Sequence, residues 1–210
     1  MSQLVLAADA LAGSPVAGTT EYNGTIQTFT PLGTQRGVVP SEQFFKLNAG
    51  LAGSDAASVQ SIFGVGVTLS ASTQYEFELV FALSRSAGTT SHNIVIGFGG
   101  TATLNNIGFL IQGSTVSGTA NLINNMGILQ VGAGFSTSAT TTAITACVTA
   151  SVGFLYVIKG TVSINAGGTF IPQYTLSAAP GGAYTTQAGS YIKIKPIGVS
   201  GANVSVGTWA

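Results

Sequence analysis

Between Thr73 and Ser84 the chain reads Thr-Gln-Tyr-Glu-Phe-Glu-Leu-Val-Phe-Ala-Leu-Ser, and every odd position from Tyr75 to Leu83 is large and apolar. The even positions begin with Glu76 and Glu78 and shrink to Ala82 and Ser84. A period of two over so long a stretch specifies a β-strand with one buried face. Five such side chains contribute on the order of 10 kcal/mol of gross burial, an upper value because the unfolded chain is already partly collapsed. The remaining residues therefore have to supply a second layer over Tyr75, Phe77, Leu79, Phe81 and Leu83. The opposite face carries Val80 and Ala82 beside its two glutamates and suits coverage by another subunit.

Charge is scarce: 6% of the 210 residues are charged, six basic against six acidic, while Gly alone contributes 29. Solvent-exposed helices normally carry dense Glu and Lys, so this composition argues for β-structure with a surface of Ser, Thr, Asn and Gly. Hydrophobic residues make up 45% of the chain, enough to expect order over most of its length. A net charge of zero provides no field to gather phosphate or an anionic membrane, so neither nucleic acid nor membrane is expected as a partner. The longest apolar run, Ala143 to Ile158, is interrupted by Thr145, Thr149, Ser151 and Gly153, and no membrane span is expected from it. The first ten residues have no basic segment and include Asp9, which does not read as a secretory signal; assembly in a cytoplasm is the expectation.

Residues 1–40 are rich in turn formers, among them Gly13, Pro15, Gly18, Asn23, Gly24, Pro31, Gly33 and Pro40, and read as an extended arm with one or two short strands such as Thr25 to Phe29. Residues 41–210 read as one β-sandwich. Its expected strands are Gln43–Leu47, Ile62–Leu69, Thr73–Ser84, His92–Phe98, Asn106–Gln112, Gly127–Val131, Ala143–Thr149, Phe154–Asn165, Phe170–Ser177, Ser190–Pro196 and Ala202–Trp209. Gly, Ser, Thr and Asn clusters separate them at short intervals, the pattern of an all-β sandwich or barrel.

In Ser190-Tyr-Ile-Lys-Ile-Lys-Pro196, Tyr191, Lys193 and Lys195 share one face. Lys193 and Lys195 thus match Glu76 and Glu78 in spacing and oppose them in sign. The expectation is that the two strands are neighbours, within a subunit or across an interface, and that Glu76, Glu78, Tyr191, Lys193 and Lys195 form a contact surface. Independent solvated charges are the alternative. No Asp, Glu, Lys or Arg occurs between Arg85 and Lys159, a composition that suits burial in a symmetric oligomer.

No chemistry assembles from the sequence. His92 is the only histidine and Cys147 the only cysteine, so neither a zinc site nor a disulfide is expected. Cys147 reads as a small core residue because no Lys, Arg or His stands near it in sequence. His92 reads as a polar residue opening a strand. Glu76 and Glu78 resemble the carboxylate pair of a glycosidase only in residue type, since such pairs face each other across a cleft. No cofactor, metal or catalytic residue is expected.

Several local strings go further than spacing. Glu21-Tyr-Asn-Gly24, Gly33-Thr-Gln-Arg-Gly-Val-Val-Pro40, Phe63-Gly-Val-Gly-Val-Thr-Leu-Ser70, Tyr75-Glu-Phe-Glu78, Ser91-His92 and Gly99-Gly-Thr-Ala-Thr-Leu104 resemble a family of tailed-phage virion proteins common in cyanophages. The strings Pro172-Gln-Tyr174, Ser177-Ala-Ala-Pro-Gly-Gly182, Ala188-Gly-Ser-Tyr191 and Gly207-Thr-Trp209 are similar to the end of the same group. The resemblance implies a jelly roll of the tumour-necrosis-factor type, a homotrimer, and a place on the surface of the virion. Within that family, the implied roles are a head decoration or cement protein bound to the major capsid protein, or a tail fibre or receptor-binding protein joined to a tail adaptor protein. The short arm, without heptads or collagen-like triplets, favours the first role. The second would place host-surface glycan on Ser-, Thr- and Asn-rich loops, Gly113–Asn125 or Gly132–Thr142.

Overall fold

A computed structural model describes residues 5–115, 129–136, 140–148 and 150–209. Among them are sixteen strands and no helix. In chain order they are β1 (Thr20–Tyr22), β2 (Gln27–Leu32), β3 (Gln35–Val39), β4 (Gln43–Lys46), β5 (Leu51–Ala52), β6 (Val59–Ser61), β7 (Val67–Leu69) and β8 (Thr73–Arg85). There follow β9 (His92–Gly99), β10 (Thr103–Thr115), β11 (Leu129–Ser136), β12 (Thr140–Cys147), β13 (Val152–Ala166), β14 (Gly168–Leu176), β15 (Thr185–Thr186) and β16 (Tyr191–Val199).

The fold is an antiparallel β-sandwich of the kind a jelly roll makes. One sheet runs β11-β10-β13-β8, and beyond β8 the position is shared by β16 and β15, backed in turn by β4 and β5. The facing sheet runs β12-β9-β14, with β6 and β7 forming one interrupted edge along β14. Tyr75, Phe77, Leu79, Phe81 and Leu83 of β8 are all buried, as their alternation requires. Their cover comes from rings on the other sheet: Phe77 lies 5.0 Å from Phe98 and 5.8 Å from Phe170 between ring centroids, and Phe98 and Phe170 stack at 4.8 Å. Offset and tilted pairs of this kind add about 0.5–1.5 kcal/mol each beyond area burial.

Two expected strands differ from the structure. Ile62–Leu69 is strand only from Val67, because Gly64 takes a φ of 70° and its N–H donates to the Ser61 hydroxyl, folding the chain out of the ladder. Ala202–Trp209 is not a strand at all. Gly201 and Gly207 adopt φ of 104° and 110°, Trp209 is 82% exposed, and its indole N–H donates to the Val206 carbonyl. The short strands β5, β6 and β15 are too brief for a periodic signal.

The first forty residues hold more structure than one or two strands. β1, β2 and β3 form a three-stranded antiparallel sheet in which Tyr22 faces Gln27 and Gln27 faces Val39. Gly33, with φ of 54°, makes the turn between β2 and β3, and Arg36 Nε meets Glu21 Oε2 at 2.7 Å. Of the loops considered for glycan, Gly132–Thr142 is strand at both ends, in β11 and β12. Gly113–Asn125 begins as the end of β10 and otherwise lies outside the described residues, as do 127 and 128 of the expected strand Gly127–Val131.

Candidate functional site

All five residues singled out from the sequence come together on the outer face of the larger sheet. β16 runs antiparallel to β8 with Tyr191 opposite Val80, Lys193 opposite Glu78 and Lys195 opposite Glu76. Directly opposed residues in an antiparallel pair share a face, so the matched spacing brings the charges into register. Lys193 Nζ is 3.2 Å from Glu78 Oε1 and Lys195 Nζ is 3.3 Å from Glu76 Oε2. The adjacency lies within one chain.

The sequence did not reveal the third arm of this network. β13 flanks β8 on its other side and places Lys159 opposite Glu78, with Nζ 3.0 Å from Oε2. Glu78 therefore sits between two ammonium groups and also accepts a hydrogen bond from the Tyr191 hydroxyl at 3.0 Å. Lys159 foremost, with Tyr191 and Lys193, holds its carboxyl below the usual carboxylate range, against an opposing effect of burial. In return Glu78 raises Lys193, and burial followed by Glu78 raises Tyr191. Both glutamates lie along a sheet face with their oxygens engaged by lysines, which is the geometry of a fixed surface rather than of a carboxylate pair facing across a cleft.

Apolar side chains surround this charged centre. Register carries the row outward from Glu78 through Lys193 to Phe44 on one side, and through Lys159 to Leu110 on the other. Phe44 is 60% exposed and leans on Tyr191 at 5.9 Å; Leu110 and Leu155 are also exposed, while Val80 and Val157 are half-buried. Where β4 meets the edge of the facing sheet, a groove of about 390 Å³ opens between Phe45, Val65, Val67, Pro172, Ile192 and Ile194. The apolar ring around the charges on the face, and the apolar groove at the edge, are surfaces of the sort that proteins use for contact.

A second cluster is buried at the far end of β8. Arg85, almost fully enclosed, donates through Nη1 to the carbonyls of Ala87, Gly88 and Pro180 at 3.0–3.2 Å, and its Nη2 lies 3.8 Å from Cys147 Sγ. Its guanidinium carbon stands 5.3 Å from the centre of the Tyr184 ring. The Tyr184 hydroxyl is 2.9 Å from His92 Nε2 and 3.7 Å from Cys147 Sγ. Burial, reinforced by Cys147 and opposed by Arg85, pushes the Tyr184 hydroxyl well above the tyrosine range. Cys147 is a core residue, 8% exposed, but it has both an arginine and a histidine for neighbours, from strands 62 and 55 positions away in sequence. Spacing along the chain carried no sign of this. Among the described residues no three His, Cys, Asp or Glu side chains gather as a metal site.

The chain matches no protein-family model, no curated protein and no solved structure.

Proposed function

We propose that this chain is a virion surface protein of a tailed phage, a capsid decoration or cement protein that trimerises on the head and clamps capsid subunits through its N-terminal arm. The observation that carries the reading is the outer face of the larger sheet. It holds both of its glutamates within the chain, through Lys159, Lys193 and Lys195, and leaves Phe44, Leu110 and Leu155 open around them. Such a face is suited to packing against another copy, since docking it leaves neither Glu76 nor Glu78 without its lysine partner. The absence of charge between Arg85 and Lys159 and the motif resemblance support the same reading.

The arm offers a separate contact surface. Around β1–β3, Val5, Val16, Leu32 and Phe29 are exposed although they are apolar. In a trimer three such arms act together, and weak individual contacts to the major capsid protein sum to a strong clamp.

The deciding measurement is the copy number of this chain in purified virions, relative to the major capsid protein. Abundance comparable to the capsid protein supports decoration. A few copies per particle refutes it and places the chain on the tail as a fibre or receptor-binding protein. A chain truncated to begin at Val39 is expected to trimerise and to fail to bind decoration-free heads; full binding refutes the role of the arm.

A further inference from the structure

Among the described residues β4 pairs with β16 alone, and nothing in the chain covers its other side. All four of its residues are exposed, Phe44 and Phe45 included. Its free edge also has hydrogen-bonding groups to offer. Leu47, the next residue, donates its N–H to the Ser190 carbonyl at 2.9 Å and accepts at its own carbonyl from the Gly189 N–H at 2.8 Å. Backbone groups alternate sides along a strand, so Phe45 and Gln43 also turn theirs to β16, while those of Phe44 and Lys46 point away from it. Proteins usually blunt such an edge with a proline, a bulge or repelling charge. β4 contains no proline, and its register with β16 runs without a break.

The charges at its ends are placed to attract a copy rather than to repel one. Glu42 stands two residues before Phe44 and Lys46 two residues after it. Both are exposed, and neither joins an ion pair among the described residues. Two antiparallel copies of the strand centred on Phe44 set each Glu42 opposite the Lys46 of the other copy, with Phe44 opposite itself. In-register parallel pairing would instead set glutamate on glutamate and lysine on lysine. On the inner face the antiparallel register brings Phe45 of one copy beside Gln43 of the other, which lines the groove of about 390 Å³. The Val65, Val67, Pro172 and Ile194 walls of that groove are apolar and suit an aromatic ring.

We propose that β4 pairs antiparallel with β4 of a second copy of this chain about a two-fold axis at Phe44, joining the larger sheets of the two copies into one. Each copy gives and receives the same edge, so the contact closes at two copies and does not propagate. Backbone hydrogen bonds along the new ladder provide attraction, and the two Glu42–Lys46 pairs fix direction and register. The trimer of the virion reading uses the outer face and a three-fold axis. The edge contact uses a different surface and stands whether or not that reading holds.

The test is sedimentation of the full-length chain over a range of concentrations, following the step in which one assembly, a single copy or a trimer, joins a second. Wild type is expected to show this step. Glu42→Lys and Lys46→Glu, each checked for a native melting transition, are each expected to weaken it about tenfold, because two opposite-charge contacts become two like-charge ones. Mixing the two variants in equal amounts sets opposite charges together again at both ends of the strand, and is expected to restore the step to wild-type strength. The double variant Glu42→Lys with Lys46→Glu should regain it alone. A wild-type chain that shows no such step overturns the proposal. So does a step that neither reversal weakens, or one that the mixture fails to restore, since a register centred on Phe44 requires both. Assembly into trimers alone, unaffected by either reversal, supports the face contact and overturns the edge.

Discussion

Lys193 and Arg85 are cations of the same sheet, handled in opposite ways. Lys193 lies on an open face and is met by a carboxylate from the neighbouring strand, at the register that β8 and β16 impose. Arg85 is sealed inside, where loop carbonyls, a tyrosine ring and a thiol surround it. The first arrangement keeps most of its hydration and stabilises little, but it fixes which strands pair. The second has given up hydration and depends on every partner being in place. Surface charge here specifies register, whereas buried charge holds loops together.

Replacing the two charges separates these roles. Arg85→Met leaves the carbonyls of Ala87, Gly88 and the buried Pro180 without their donor and is expected to cost about 3–5 kcal/mol, measured by urea unfolding. A loss no greater than that of the surface variant would break the contrast. Glu78→Gln is expected to cost about 1 kcal/mol near neutral pH, since its partners are partly solvated. Because folding lowers the Glu78 pKa, its contribution is present above the unfolded carboxylate value and disappears as pH falls through the folded one. Wild type and variant should therefore converge in acid, and the coupling of Glu78 to Lys193 in a double-mutant cycle should shrink with added salt. Zero coupling at low salt would remove the role in register. The smallest effect belongs to Trp209→Ala: the ring is 82% exposed, and stability should stay within about 0.5 kcal/mol of wild type.

The same contrast governs what the sequence makes legible. Period-two alternation exposes β8 and its buried face, and the i, i+2 charges on two strands anticipate their pairing, because both signals are local. Lys159 escapes notice because it is a single charge on an otherwise uncharged strand. The Arg85 cluster draws on β8, β9, β12 and the segment before β15, and no interval along the chain links them. Alternation also misleads at Ala202–Trp209, where Gly201 and Gly207 take positive φ and the chain bends instead of entering a ladder.

The placement of β8 in its sheet bears on how the protein is made. One neighbour, β13, starts at Val152, and the other, β16, ends at Val199. On the ribosome, β8 therefore emerges long before either strand that will flank it, although β9, whose Phe98 covers Phe77, follows soon after. Contacts this distant in sequence form late, after the entropy of closing long loops has been met. Until β13 appears the nascent chain presents a strand with two bare edges, a species that pairs readily with its own kind. Such a chain depends on the few charges around that strand, Glu76, Glu78 and Arg85, to keep neighbouring polysomal copies apart until β16 closes the sheet.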